Sequence, residues 1–144
     1  AKDAWLINAV QNNAGKLVDK ETNPKYYFTD NGILNLFLLD SDTSLLENMV
    51  AMSLIREYGR EDGVYFYNHG VEVDFYIPDN ETAIQVSYSL SDAETFEREI
   101  KAFVKISSIL PCSRLMVITR DEEDILNIDG KTIEVIPIWK WLLR

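Results

Sequence analysis

The chain has 144 residues, 47% hydrophobic and 26% charged, which fits one compact domain able to bury its own core. Fourteen lysines and arginines stand against 24 aspartates and glutamates, a formal charge of −10 that repels phosphate backbones, so no nucleic-acid partner is expected. One cysteine, Cys112, excludes an internal disulfide framework and suits a reducing compartment such as the cytoplasm. The longest apolar stretch, residues 33–39, is too short to span a bilayer, so no membrane association is expected.

Residues 1–44 read as a lead-in of strand, loop, strand and short helix. The start, Ala1-Lys2-Asp3, runs straight into apolar sequence and reads as that of a fragment excised from a longer chain. Residues 4–10 are apolar and of ambiguous type. Residues 12–24, rich in Asn, Lys, Asp and Gly, predict a loop, and Tyr26-Tyr27-Phe28 a short strand. Asp30 is placed to cap a helix running through Ile33, Leu34, Leu36, Phe37 and Leu38.

Residues 45–144 read as a core of order α-β-β-β-α-β with a closing segment. Residues 44–58, free of Pro and Gly, predict a buried helix ended by Gly59 as a left-handed cap. Strands follow at 64–67, 71–77 and 83–88, separated by turns at Asn68-His69-Gly70 and Pro78-Asp79-Asn80. The middle strand alternates, with Val71, Val73, Phe75 and Ile77 on one face and Glu72, Asp74 and Tyr76 on the other. A capping box at Ser91 and Glu94 opens the next helix, where Glu94–Arg98 and Glu97–Lys101 have the favourable i, i+4 order. Phe96, Ile100, Phe103 and Leu110 mark its core stripe, and Pro111 ends it. Strands at 115–119 and 133–136 and a short helix carrying Trp139 and Trp141 complete the chain. The pattern predicts an α/β fold, a mixed sheet with helices on both faces.

Strands 71–77 and 83–88 must pair with their apolar faces together, which places Asp74 opposite Gln85 or Ser87. Glu47 shares a helix stripe with Ala51, Leu54 and Tyr58, so its carboxylate points inward and needs a donor, a metal or a proton. A local alternative is a capping box, Ser44-x-x-Glu47, in which the carboxylate bonds back to the Ser44 backbone.

Leu46-Glu47-Asn48, Glu72-Val73-Asp74-Phe75 and Ile84-Gln85-Val86-Ser87 together resemble the PD-(D/E)XK nuclease core, a restriction-endonuclease-like fold. Pro24-Lys25-Tyr26-Tyr27, Asp30, Gly32, Arg98-Glu99 and Pro137-x-Trp139 extend the resemblance over nearly the whole chain. They resemble the uncharacterised domain at the C-terminus of many bacterial and archaeal AAA-type ATPases. In active nucleases of this fold a helix Glu, a strand Asp and a second strand acid bind Mg²⁺, with a Lys two residues after that acid. Such an ion takes hard anionic oxygens, polarises the phosphate and helps generate hydroxide.

By position Glu47 and Asp74 match the helix Glu and the strand Asp and are the candidate metal ligands. Gln85 stands where the second acid belongs and Ser87 where the Lys belongs, so the site is degenerate and hydrolysis is not expected. Asp74 is then a structural carboxylate bonded to Gln85, Ser87 or backbone. The resemblance implies a nuclease-like, catalytically inactive module that binds a protein partner or the ATPase domain of its own chain. No cofactor is expected in this segment. The alternative is a divergent Mg²⁺- or Mn²⁺-dependent nuclease, with Glu72 as a partial substitute ligand.

Other chemistry-bearing residues have plainer readings. His69 is the only histidine, without placed partners, and reads as a turn residue. Cys112 has no base beside it in sequence and reads as packing. Tyr65, Tyr67, Tyr76 and Tyr88 lack interleaved basic residues and read as half-buried sheet tyrosines. Trp139 and Trp141 are expected to split, one ring inward and one partly exposed. Gly15-Lys16 and Asp129-Gly130-Lys131 lack the glycine-rich lead and the hydroxyl residue of a phosphate loop.

Overall fold

The computed structural model describes residues 7–14, 24–32, 42–59 and 62–144. The expected loop at 15–23, the helix over 33–38 and residues 4–6 lie outside them. Eight strands form one mixed sheet in the order β2-β1-β3-β4-β5-β6-β8-β7. They are β1 (Ile7–Asn12), β2 (Lys25–Phe28), β3 (Tyr65–Asn68), β4 (Glu72–Ile77), β5 (Thr82–Val86), β6 (Arg114–Thr119), β7 (Asp124–Ile128) and β8 (Lys131–Pro137). Helices α1 (Asp42–Tyr58), α2 (Ala93–Ser107) and α3 (Ile138–Leu142) accompany them. The core order follows the expected α-β-β-β-α-β, and among the described residues no helix is long and apolar enough to cross a membrane.

The helices divide between the two faces as the sequence suggests. On one face Val50 and Leu54 of α1 and Trp141 of α3 pack with Phe75, Ile84, Val86 and Ile118. On the other, Ile100, Phe103 and Ile106 of α2 pack with Tyr76, Ala83, Val117, Ile133 and Val135. The expected split of the tryptophans holds: Trp141 is 2% exposed and Trp139 58%. Gly59 ends α1 at φ +90°, its N–H bonded to the Ile55 carbonyl at 2.9 Å.

Several local expectations are corrected. The clean alternation of β4 fails, because Val73 packs against the α2 face and Phe75 against the α1 face. Tyr65 opposes Tyr76 while Tyr67 opposes Val73, so Asp74 and Phe75 together face Phe66 in a β-bulge. Helix α2 is capped by Asp92, whose carboxylate accepts the Thr95 N–H at 2.8 Å, and not by Ser91. The Glu97–Lys101 pair forms, but Arg98 turns to Glu99 rather than Glu94. Asn12 belongs to β1 rather than to a loop, and Asn68 to β3 rather than to a turn. Tyr67 and Tyr76 are buried outright rather than half-buried, the Tyr76 hydroxyl donating to the Pro111 carbonyl.

Strand β7 was not among the expected elements. It pairs with β8 across Asp129 and Gly130, both at positive φ, the turn geometry that matches strand twist. Where the helix is expected to start, Asn31 and Gly32 are helical and Asp30 accepts the Gly32 N–H at 2.6 Å.

Candidate functional site

Between β4 and β5 the backbone ladder pairs Ile77 with Thr82, Tyr76 with Ala83 and Phe75 with Ile84. Continued one step, this register sets Asp74 across from Gln85, one of the two expected arrangements. Side chains take over there from the backbone. The Gln85 amide oxygen accepts the Asp74 N–H at 2.8 Å, and its NH₂ donates to the Glu72 carbonyl at 3.1 Å. In return Asp74 Oδ2 accepts the Val86 N–H at 2.8 Å. The residue types follow from the job. Gln85 needs both an acceptor and a donor, and Asp74 needs an oxygen that accepts from Val86. Of the partners expected for the Asp74 carboxylate, Gln85, Ser87 or backbone, it takes backbone, while Gln85 bonds the Asp74 N–H instead.

Ser87 does not join this pair. It is buried, and its hydroxyl donates to the Ser89 carbonyl at 2.9 Å.

Glu47 reaches the same place from α1. Ser44 lies inside the helix rather than at its cap, and the Glu47 carboxylate accepts the Tyr27 hydroxyl of β2 at 2.7 Å. The local capping box is therefore overturned. Burial first, then the Glu47 charge, pushes the Tyr27 phenol well above its ordinary range, so it remains a donor.

Lys25, two residues before Tyr27 and on the same strand face, supplies the cation. Its ammonium donates to Glu72 at 2.9 Å and stands 3.9 Å from both Glu47 and Asp74 Oδ1. It also lies 5.0 Å from the centre of the Phe66 ring. Burial works to lower the Lys25 pKa, but the bond to Glu72 and the charges of Glu47, Asp74 and Glu72 outweigh it, and the net shift is upward. Asp74 moves up to about 8, driven by burial and then by the Glu47 charge, against the Val86 N–H bond and Lys25.

The three carboxylates face a cavity of about 880 Å³ between α1, α2 and the bulged end of β4. Six carboxylates line it against Arg98, Lys101 and Lys105, so it is acidic. Glu99 of α2 is buried in this wall and paired with Arg98 at 3.0 Å. Burial raises its pKa against the pull of Arg98. Lys25 lines a hollow of about 270 Å³ that shares Glu47 with the larger cavity.

The donor set as it stands does not fit a divalent ion. Lys25 already pairs with the carboxylates, one Asp74 oxygen is held by Val86, and the Gln85 oxygen is held by Asp74. Among the described residues no three His, Cys, Asp or Glu side chains are arranged to hold a metal ion.

Sequence reasoning placed Glu47, Asp74 and Gln85 together and missed Lys25, Tyr27 and Glu99 as members of the cluster. The available signal was the spacing of Lys25 and Tyr27, which puts both on one strand face while Tyr26, 60% exposed, points away.

A family model described as Domain of unknown function (DUF4143) matches residues 42–141. The Uncharacterized protein MJ1544 of Methanocaldococcus jannaschii is 36% identical over 152 residues, covering 98% of this chain and 34% of that protein. The chain thus spans about a third of the length of this curated relative. No solved structure matches.

Proposed function

Because the chain belongs to the family described as Domain of unknown function (DUF4143), we propose its role from the chemistry of its own cluster: a nuclease-like but non-hydrolytic module that serves assembly or partner binding. The observation that carries this reading is the Lys25 ammonium among Glu47, Glu72 and Asp74. With Gln85 engaged by backbone on both sides, the residues of a hydrolytic centre are committed to holding strands and helix together. The acidic cavity adds to this, since it disfavours a phosphodiester substrate. We place the module in the cytoplasm, at the C-terminus of an AAA-type ATPase, on the resemblance of its motifs. The relative is about three times as long as its matched part, which leaves room there for a further domain.

A divergent Mg²⁺- or Mn²⁺-dependent nuclease is the second reading. It is favoured by a cavity that Glu47, Glu72 and Asp74 all line. Mn²⁺-dependent cleavage of single- and double-stranded DNA by the purified chain separates the two, with Asp74→Ala as control. The first reading expects no cleavage from either protein. Cleavage by the native chain that disappears in the variant makes it a nuclease.

A further inference from the structure

We infer that the Lys25 ammonium is the resident cation of the Glu47–Glu72–Asp74 cluster, and that its presence keeps a divalent metal ion from binding there. The inference rests on the non-hydrolytic reading and names what enforces it. Three carboxylates from two elements, α1 and β4, converge to within 3.9 Å of one nitrogen. Converging carboxylates repel one another unless a cation or a proton sits among them, and the chain supplies a cation from the edge strand β2. The placement is not loose. Tyr27, on the same face of β2, is bonded to Glu47, and Lys25 rests against the Phe66 ring.

A dication at the cavity side of these carboxylates would lie within a few ångströms of the ammonium, where like charges repel strongly. Without the ammonium, the oxygens that faced it become available. Asp74 Oδ1 faces Lys25 while Oδ2 stays with Val86. Metal–oxygen bonds of about 2.1 Å need the carboxylates to close by about 1–2 Å from their present spacing, or to act through water, as Mg²⁺ commonly allows. Glu47 and Glu72 have the side-chain length to do so.

The experiment is a MnCl₂ titration read by the electron paramagnetic resonance of free Mn²⁺, at neutral pH, on the native chain and three variants. Lys25→Met keeps the packing against Phe66 and loses the charge together with the hydrogen bond to Glu72. Lys25→Arg keeps the charge. Lys25→Met combined with Asp74→Asn removes a ligand. The expected result is binding by Lys25→Met on the order of a hundredfold tighter than by the native chain. Lys25→Arg stays at the native level, and the double variant loses most of the gain. If Lys25→Met folds only with Mn²⁺, binding linked to folding supports the inference equally.

Equal binding by the native chain and Lys25→Met overturns the inference, as does a Lys25→Met chain that stays unfolded in excess Mn²⁺. These outcomes are independent of DNA cleavage. The native chain can fail to cleave while Lys25→Met gains no metal, which sinks this inference alone. Cleavage by the native chain sinks the reading beneath it.

Discussion

Gln85 offers the sharpest test of how the β4–β5 junction is held. Its side chain is 4% exposed and serves both strands, accepting from Asp74 N–H and donating to the Glu72 carbonyl. Gln85→Ala leaves one N–H and one carbonyl without these partners where the backbone ladder has already stopped. An orphaned buried backbone group costs about 1–3 kcal/mol, and the exposed Glu72 position gives its carbonyl some recourse to water, so the expected loss is about 2–3 kcal/mol. Gln85→Glu supplies the acid that the resemblance to a nuclease core expects at this place. It keeps the acceptor but, once ionised, cannot donate to Glu72, and it sets a new charge beside Asp74. It is expected to be destabilised as well, and more at high pH than at low pH. Urea denaturation followed by tryptophan fluorescence measures both. A Gln85→Ala chain within about 0.5 kcal/mol of the native one would refute the reasoning, since surface-like substitutions fall in that range.

Asp74→Asn tests the charge at the bulge. The folded-state pKa of about 8 lies above the ordinary carboxylate value of 3.8, so the contribution of Asp74 to stability is complete below about pH 4 and is lost as pH rises toward 8. Asparagine does not titrate and can still accept from Val86, so its stability relative to the native chain should climb across that window and level off above it. A difference in urea midpoints that stays constant with pH contradicts the assignment. Trp141→Ala removes a ring that is 2% exposed beneath α3 and should cost about 3–5 kcal/mol, a large share of a typical domain's stability; Trp139→Ala should stay within about 0.5 kcal/mol. Gly63→Ala would put a Cβ 2.1 Å from the Tyr58 carbonyl oxygen, against backbone that cannot rotate away, and should lower the thermal midpoint by an amount equivalent to about 2 kcal/mol or more. A Gly63→Ala chain with the native midpoint would show that the loop after α1 shifts without cost.

The elements legible in the sequence are those fixed by local chemistry. Helix α1 follows from a long run without Pro or Gly and from Gly59 behind it, and the register of β4 and β5 follows from apolar faces that tolerate only even slips. The features missed depend on partners remote in sequence. The bulge at Asp74 and Phe75 is invisible in an alternating strand, because it is set by which residue of β3 lies opposite. Asp92 and Ser91 are both good caps, and a pattern of Ser-x-x-Glu cannot choose between neighbours one residue apart. Strand β7 was hidden by its burial pattern, exposed at three of five positions, although Asp129-Gly130 is a strong hairpin signal. Glu47 had two readings, and the choice between them required Tyr27, twenty residues away in sequence.

The cluster also bears on how the chain is organised. The family match begins at residue 42, with α1, and a reading by sequence alone sets residues 1–44 apart from the core. Yet β1 pairs in parallel with β3 through Gln11–Tyr65 and Asn12–Phe66, and β2 closes that end of the sheet. Asn48 of α1 donates to the Phe28 carbonyl and accepts the Phe28 N–H, tying the helix to β2 by a two-way amide bond. Tyr27 and Lys25 of that strand then complete the hydrogen bonding and the charge of Glu47, a core residue. Both of these partners of the partly buried Glu47 come from β2, so the core segment by itself leaves it without them. What decides whether Glu47, Glu72 and Asp74 stand as an open acidic site or as a joint closed by an ammonium lies in the four residues of β2, outside the part that the family match covers.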